Sequence, residues 1–113
     1  MISSKTLFWV RNTTSERLLI STRHPELFGI LDPGTRVTVG PGLSSGCKPV
    51  SPETLTCLRL YREIGGEVVF QITPKSRDRW VLQGHPARCV WEYELVIEGE
   101  DLSPVPYREQ CSQ

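Results

Sequence analysis

The chain has 113 residues with 13 basic and 13 acidic side chains, so its formal net charge is zero. This length suits one domain with a single core, and a hydrophobic fraction of 38% argues against wholesale disorder. The neutral balance disfavours nucleic acid as a partner, and no run approaches the roughly 20 apolar residues of a membrane-spanning helix.

Short β-rich runs alternate with turn clusters along the whole chain, and nine prolines and nine glycines interrupt it. No window has the three- and four-residue apolar spacing of an amphipathic helix. The runs predict seven strands, at residues 6–11, 17–22, 35–39, 54–62, 67–73, 79–83 and 89–98. Residues 40–52, with three prolines and three glycines, are predicted to form a long irregular loop.

Two local patterns are specific. The segment 10–12 followed by the turn at Asp32-Pro33-Gly34 resembles the opening of many immunoglobulin-like modules, which implies a β-sandwich but no function. The Gly65-Gly66 pair between two strand-like runs predicts a β-hairpin, because glycine tolerates the positive φ of such turns.

The best strand pattern lies at residues 89–98, where apolar residues alternate with glutamates. The residues that share its apolar face are Cys89, Trp91, Tyr93, Leu95 and Ile97. Taken together, the patterns predict an all-β fold: a single antiparallel β-sandwich of about seven strands, immunoglobulin-like or jelly-roll-like. We expect residues 1–98 to form this domain and residues 99–113 to form an extended tail.

The four cysteines lack the paired spacing of a zinc site, so no metal or other cofactor is predicted. Cys57 and Cys89 are expected to point inward. They are either two buried thiols or a disulfide between the sheets. The start of the chain does not resemble a signal peptide, which favours the cytoplasm; paired cysteines would instead indicate a secreted protein.

No catalytic residues are predicted, and we expect the protein not to be an enzyme. The sequence Gly42-Leu43-Ser44-Ser45-Gly46 matches a nucleophile elbow, but two prolines follow it and forbid the helix that this chemistry needs. Separately, Asn12 lies in an N-glycosylation acceptor pattern.

A basic and aromatic group stands out late in the chain and is the candidate binding patch. Its members are Lys75, Arg77, Arg79, Trp80, His85 and Arg88. Cations beside an exposed tryptophan can hold a phosphate, a sulfated sugar or a lipid headgroup. In the alternative interpretation, Trp80 packs in the core and the charges are simply solvated.

The preferred hypothesis is a non-catalytic binding module that engages a protein or other macromolecule through loops 40–52 and 75–79, because binding residues concentrate on loops held by a rigid scaffold. One alternative is a lipid- or carbohydrate-recognising protein that uses the patch around Trp80. Another is a structural subunit whose strand edges or tail pair with a neighbour. The oligomeric state is left open.

Overall fold

The computed structural model describes residues 3–22, 28–52, 55, 57–85 and 88–106. Regular structure in these residues is almost entirely β. The strands are β1 (Ser3–Asn12), β2 (Leu18–Ser21), β3 (Phe28–Leu31), β4 (Arg36–Ser45), β5 (Arg59–Arg62), β6 (Val68–Gln71), β7 (Val81–His85) and β8 (Val90–Ile97). Among the described residues, 3₁₀ segments include Pro74–Arg79 and Gly99–Asp101. No helix in the described ranges is long and apolar enough to cross a membrane.

The strands form two four-stranded sheets. The first has the order β4-β1-β8-β7 and the second has the order β3-β2-β5-β6. The prediction of an all-β fold is confirmed, with eight strands rather than about seven. The expectation of purely antiparallel pairing is wrong at one place, because β1 and β8 run parallel over their full register from Lys5↔Val90 to Asn12↔Ile97. The long connection between the first and last strands allows this arrangement, since parallel neighbours need a crossover and not a tight turn.

Alternation along β1 and β8 decides which side chains enter the core. Phe8 and Val10 of β1 are buried, as are Leu95 and Ile97 of β8. Tyr93 stacks on Phe8 with the ring centroids 5.4 Å apart. The strand pattern predicted at residues 89–98 therefore gives the correct inward face.

One hydrophobic core receives side chains from both sheets. Its buried members are Phe8, Val10, Leu18, Ile20, Leu31, Leu58, Leu60, Val69, Phe70, Trp80, Leu95 and Ile97. Sharing one core fixes the two sheets relative to each other, because each apolar face is removed from water only by the other.

The predicted loop at residues 40–52 is in part a strand. Residues 40–45 belong to β4, which pairs antiparallel with β1 from Ser3↔Ser45 to Arg11↔Arg36. A register shift between Leu7 and Trp9 accommodates the extra residue. The glycines and the proline are tolerated because β4 is an edge strand, where a proline need not donate a hydrogen bond.

The structure also corrects the cysteine pairing. Both cysteines of the predicted pair are disulfide-bonded, but not to each other: Cys89 is bonded to Cys47, with their Cα atoms 4.9 Å apart, and Cys57 is in a disulfide as well. Cys47 follows β4 and Cys89 precedes β8, and these strands flank β1 at the same end. Cys57 instead leads into β5 of the other sheet.

The predicted tail begins with the 3₁₀ turn and then lies along β6. The Ser103 N–H donates to the Val69 carbonyl at 3.3 Å, and the Val105 N–H donates to the Val68 carbonyl at 3.0 Å. Leu102 packs against the core. Residues 99–106 therefore contact the domain, and residues 107–113 lie outside the described part of the chain.

Candidate interaction surface

The predicted patch around Trp80 does not assemble as expected. Trp80 is only 7% exposed and packs edge-to-face on Phe8, with the ring centroids 5.7 Å apart. Its indole therefore belongs to the core and cannot stack on a ligand at the surface. This is the alternative interpretation of the sequence pattern, in which an aromatic residue beside cations is a core residue.

Arg79, also assigned to the patch, has a structural role. Its guanidinium donates to the Val96 carbonyl at 2.7 Å and to an Asp101 carboxylate oxygen at 2.9 Å. These bonds tie the 3₁₀ turn before β7 to the end of β8. The Arg79 guanidinium therefore stabilises the contact between the turn and the strand, and its charge is already paired with the Asp101 carboxylate.

The remaining patch residues do not share one location. Lys75 and Arg77 lie on the turn before β7, whereas Arg88 is exposed beyond its other end and His85 is the last residue of that strand. Five residues of strand separate the two groups by roughly 16 Å. The side chains of Lys75, Arg77 and His85 are not among those described. The backbone places the two groups at opposite ends of β7.

A different surface forms where β1 and β5 end. We call it the loop end and define it as residues 13–17, 32–35 and 62–67. The side chain that organises it is Asn12, which is fully buried. Its amide donates to the Glu16 carbonyl at 2.7 Å and to the Leu31 carbonyl at 3.0 Å, while its oxygen accepts from the Thr14 N–H and hydroxyl. The amide nitrogen thus donates two hydrogen bonds and the amide oxygen accepts two, all within the fold. The Asn12 side chain is therefore not accessible for glycosylation.

Two arginines connect the loops of the loop end. Arg17 contacts Asp32 at 2.9 Å and Glu63 at 3.5 Å. Arg62 contacts Glu16 at 2.9 Å and Glu67 at 2.6 Å. The hydrogen bond that Arg62 donates to the Glu16 carboxylate raises the pKa of the Arg62 guanidinium further above its usual range.

The ion pairs of the loop end leave an excess of negative charge. Four carboxylates meet two guanidinium groups, which gives a net charge of −2. Close by in the fold, beyond the end of β8, Glu98 adds to the acidic character. A hydrogen bond shared with Glu100, together with that neighbour's charge, raises the pKa of Glu98.

An open groove of about 650 Å³ lies within the loop end. Its lining residues are Ser15, Glu16, Arg17, Arg62, Glu63 and Ile64. Ile64 is 87% exposed, and it sits in the hairpin loop before Gly65 and Gly66, both of which have positive φ. An apolar side chain thus projects from the hairpin loop beside ion-paired neighbours.

The outer face of the first sheet carries a second polar cluster. The Arg36 guanidinium lies 3.8 Å from the Trp9 ring centroid, and the Trp9 indole N–H donates to Glu92 at 2.9 Å. Arg11 and Arg36 both donate to Glu94, and the hydrogen bond from Arg11 is the main reason that the pKa of Glu94 is lowered. This cluster links β4, β1 and β8 to one another, so its polar groups are largely used in holding the sheet.

Sequence reasoning missed the loop end because its charged residues are scattered along the chain. One signal was present: an isoleucine placed between two strands beside a Gly-Gly turn is poorly situated to enter a core. The predicted hairpin is confirmed by the antiparallel pairing of β5 and β6.

The described residues contain no group of three or more His, Cys, Asp or Glu side chains that could hold a metal ion. Ser44, the serine of the elbow-like pattern, lies within β4, and the residues from 46 to 50 are not helical. Comparisons with protein-family models, with curated proteins and with solved structures find no match to this chain.

Proposed function

We propose that this domain is a non-catalytic protein-binding module and that its binding surface is the loop end. The observation that carries the proposal is the 87% exposure of Ile64 in the hairpin loop, beside a groove lined by ion-paired residues. A large aliphatic side chain with a polar surround matches the usual anatomy of an interface hot spot, in which an apolar anchor is enclosed by groups that exclude water.

The partner that fits this surface is a protein segment with basic residues around an apolar recess. Burying an isoleucine contributes about 1.5–3 kcal/mol. The excess of two negative charges at the loop end favours approach by a cationic surface and disfavours an acidic one. Apolar contact would supply affinity and charge would supply selectivity.

This proposal keeps the class of function inferred from sequence but moves its location. Loop 40–52 loses its first six residues to β4, and the 75–79 segment is a 3₁₀ turn fixed through Arg79. The lipid or carbohydrate alternative is weakened because its aromatic group, Trp80, is buried.

Two finer inferences accompany the proposal. Since the two sheets share one core, we infer a β-sandwich. The parallel β1–β8 pair fits an immunoglobulin-like arrangement better than a jelly roll of antiparallel Greek keys.

Since Cys47, Cys57 and Cys89 are all in disulfides, we infer that the protein works in an oxidising compartment, as secreted proteins do.

The proposal can be tested without knowing the natural partner. A random peptide library displayed on phage is selected against the immobilised domain, and the affinities of the selected peptides are measured by calorimetry. We expect peptides with lysine or arginine flanking an aromatic or aliphatic residue. Ile64→Ser is expected to weaken their binding by about tenfold or more.

The matched control is Ile30→Ser, which removes an isoleucine 51% exposed on β3, away from the groove. Its affinity for the peptides should equal that of the parent domain. The proposal is overturned if Ile64→Ser binds the selected peptides as well as the parent does, or if both variants lose binding equally.

A further inference from the structure

The outer strands β4, β6 and β7 are protected to different degrees. In the second sheet, β6 is bonded along its edge by Ser103 and Val105 of the tail. In the first sheet, the edges are β4 and β7. β4 carries Arg36 and Pro41, a charge and a proline of the kind that discourages a further strand from pairing.

β7 has none of these devices. Its sequence, VLQGH, contains neither Pro nor Lys, Arg, Asp or Glu. Val81 is 58% exposed and Leu82 is 42% exposed, and successive residues of a strand point to opposite faces. The described residues thus leave an edge with apolar side chains on both faces, which is the feature that natural sheets usually avoid.

We propose that β7 is a homodimerisation edge, which pairs antiparallel with β7 of a second copy of this chain. The pairing would join two four-stranded sheets into one continuous sheet of eight strands. A register centred on Gln83 places Leu82 of each copy opposite Gly84 of the other, so the larger residue lies over a position without a side chain. About four to six backbone hydrogen bonds would form across the two-fold axis.

Charge does not oppose this arrangement. β7 brings no Lys, Arg, Asp or Glu to the axis, and the nearest glutamates, Glu92 and Glu94, are on β8. In the joined sheet, β8 of one copy would lie three strand spacings, or about 14 Å, from β8 of the other. That separation exceeds the Debye length of about 8 Å at physiological salt, so the glutamates of the two copies would be screened from each other.

A second copy is favoured over an unrelated strand because the Leu82–Gly84 fit is reciprocal and forms twice in one interface. The short strand limits the area that can be buried, so the dimer is expected to be weak, with dissociation in the micromolar to millimolar range. The inference does not depend on the proposed binding function, since no residue of the loop end lies on β7.

Sedimentation equilibrium of the disulfide-bonded protein from about 10 μM to about 1 mM tests the proposal. We expect the weight-average mass to rise from 12.8 kDa toward twice that value. The double variant Val81→Lys plus Leu82→Lys should dissociate at least about tenfold more readily, because it brings four ammonium groups into the interface and removes the apolar side chains from it. Far-UV circular dichroism checks that this variant is folded.

The matched control is Ile64→Lys, which makes the same kind of change at an exposed position on the loop end. It should dimerise like the parent chain. Hydrogen exchange gives a second readout: amides of β7 should become more protected as the concentration of the parent rises. A strict monomer at 1 mM, or a dimer that is unaffected by the double variant or weakened equally by Ile64→Lys, would overturn the proposal.

Discussion

The two ends of the molecule are held together by different chemistry. The loop end is organised by the buried amide of Asn12 and by ion pairs of Arg17 and Arg62. The opposite end, which we call the disulfide end and define as residues 46–52, 57–58 and 88–89, is closed by the Cys47–Cys89 bond. One end depends on hydrogen bonds and charge, and the other depends on a covalent bond.

Polar residues of β1 complete the disulfide end. The buried hydroxyl of Ser4 donates to the Lys48 carbonyl, and the buried hydroxyl of Thr6 accepts from the Val50 N–H at 2.9 Å. The inward face of β1 is therefore polar at this end, where the irregular chain after β4 needs partners, and apolar in its middle. In this small domain, a disulfide fixes the irregular chain at one end, while the other end carries a charged and exposed surface.

The largest expected effect comes from breaking the disulfide end. In Cys47→Ser plus Cys89→Ser, loss of a bond across a sequence separation of 42 residues should lower the free energy of unfolding by about 4 kcal/mol. Urea denaturation followed by fluorescence measures this change. The control is Arg88→Ala, a substitution at an exposed position of the same end, which should leave the stability close to that of the parent. Equal stability of the double serine variant and the parent would show that the bond does not hold this end.

The next effect comes from removing the anchor of the loop end. Asn12→Ala deletes an amide that makes two donor bonds and leaves the Leu31 carbonyl buried without its partner, which should cost about 3 kcal/mol. Thermal denaturation is the measurement. Gln83→Ala, which removes an exposed amide from β7, is the matched control and should change stability little. An Asn12→Ala protein as stable as the control would contradict the role given to Asn12.

The smallest effect concerns charge on the outer face of the first sheet. Hydrogen bonds and the positive charges of Arg11 and Arg36 lower the pKa of Glu94, so the folded protein binds fewer protons there than the unfolded chain. The stability that results is present above the ordinary glutamate pKa of about 4.3 and is lost as pH falls through the lower folded value. Glu94→Gln should therefore destabilise the protein at pH 7 by about 0.5–1 kcal/mol and have no effect near pH 2.

Urea titrations at the two pH values measure this difference. Glu63→Gln provides the comparison at the loop end, because the Glu63 carboxylate is 42% exposed and lies 3.5 Å from Arg17. It should show a smaller difference between pH 7 and pH 2. An equal loss for Glu94→Gln at both pH values would mean that packing, and not charge, explains the effect.

The sequence was informative where a pattern is local. Alternation at residues 89–98 predicted the inward face of β8, and the Gly65-Gly66 turn predicted the β5–β6 hairpin. Residues 40–45 were predicted as loop because their glycines and proline suit irregular chain. They form a strand only because β1 offers a ten-residue partner, which no local pattern reveals.

The features that the sequence left wrong or undecided depend on which strands are neighbours. Cys89 reaches Cys47 because β4 and β8 flank β1, and the spacing of cysteines along the chain contains no such information. Trp80 is buried because the short segment before β7 turns it onto Phe8. The pair between Arg17 and Glu63 joins the β1–β2 connection to the β5–β6 hairpin loop, and the two residues are 46 positions apart in the sequence.

A chemical-shift map of the ¹⁵N-labelled domain tests the central claim, that the loop end is the binding surface, most directly. The domain is titrated with a basic peptide from the phage selection, and the backbone amides are followed. We expect the largest shifts at residues 15–17 and 62–64 and none at residues 47–48 or 88–89, with Ile64→Ser abolishing the pattern. Shifts concentrated at the disulfide end, or a pattern that survives Ile64→Ser, would contradict the claim.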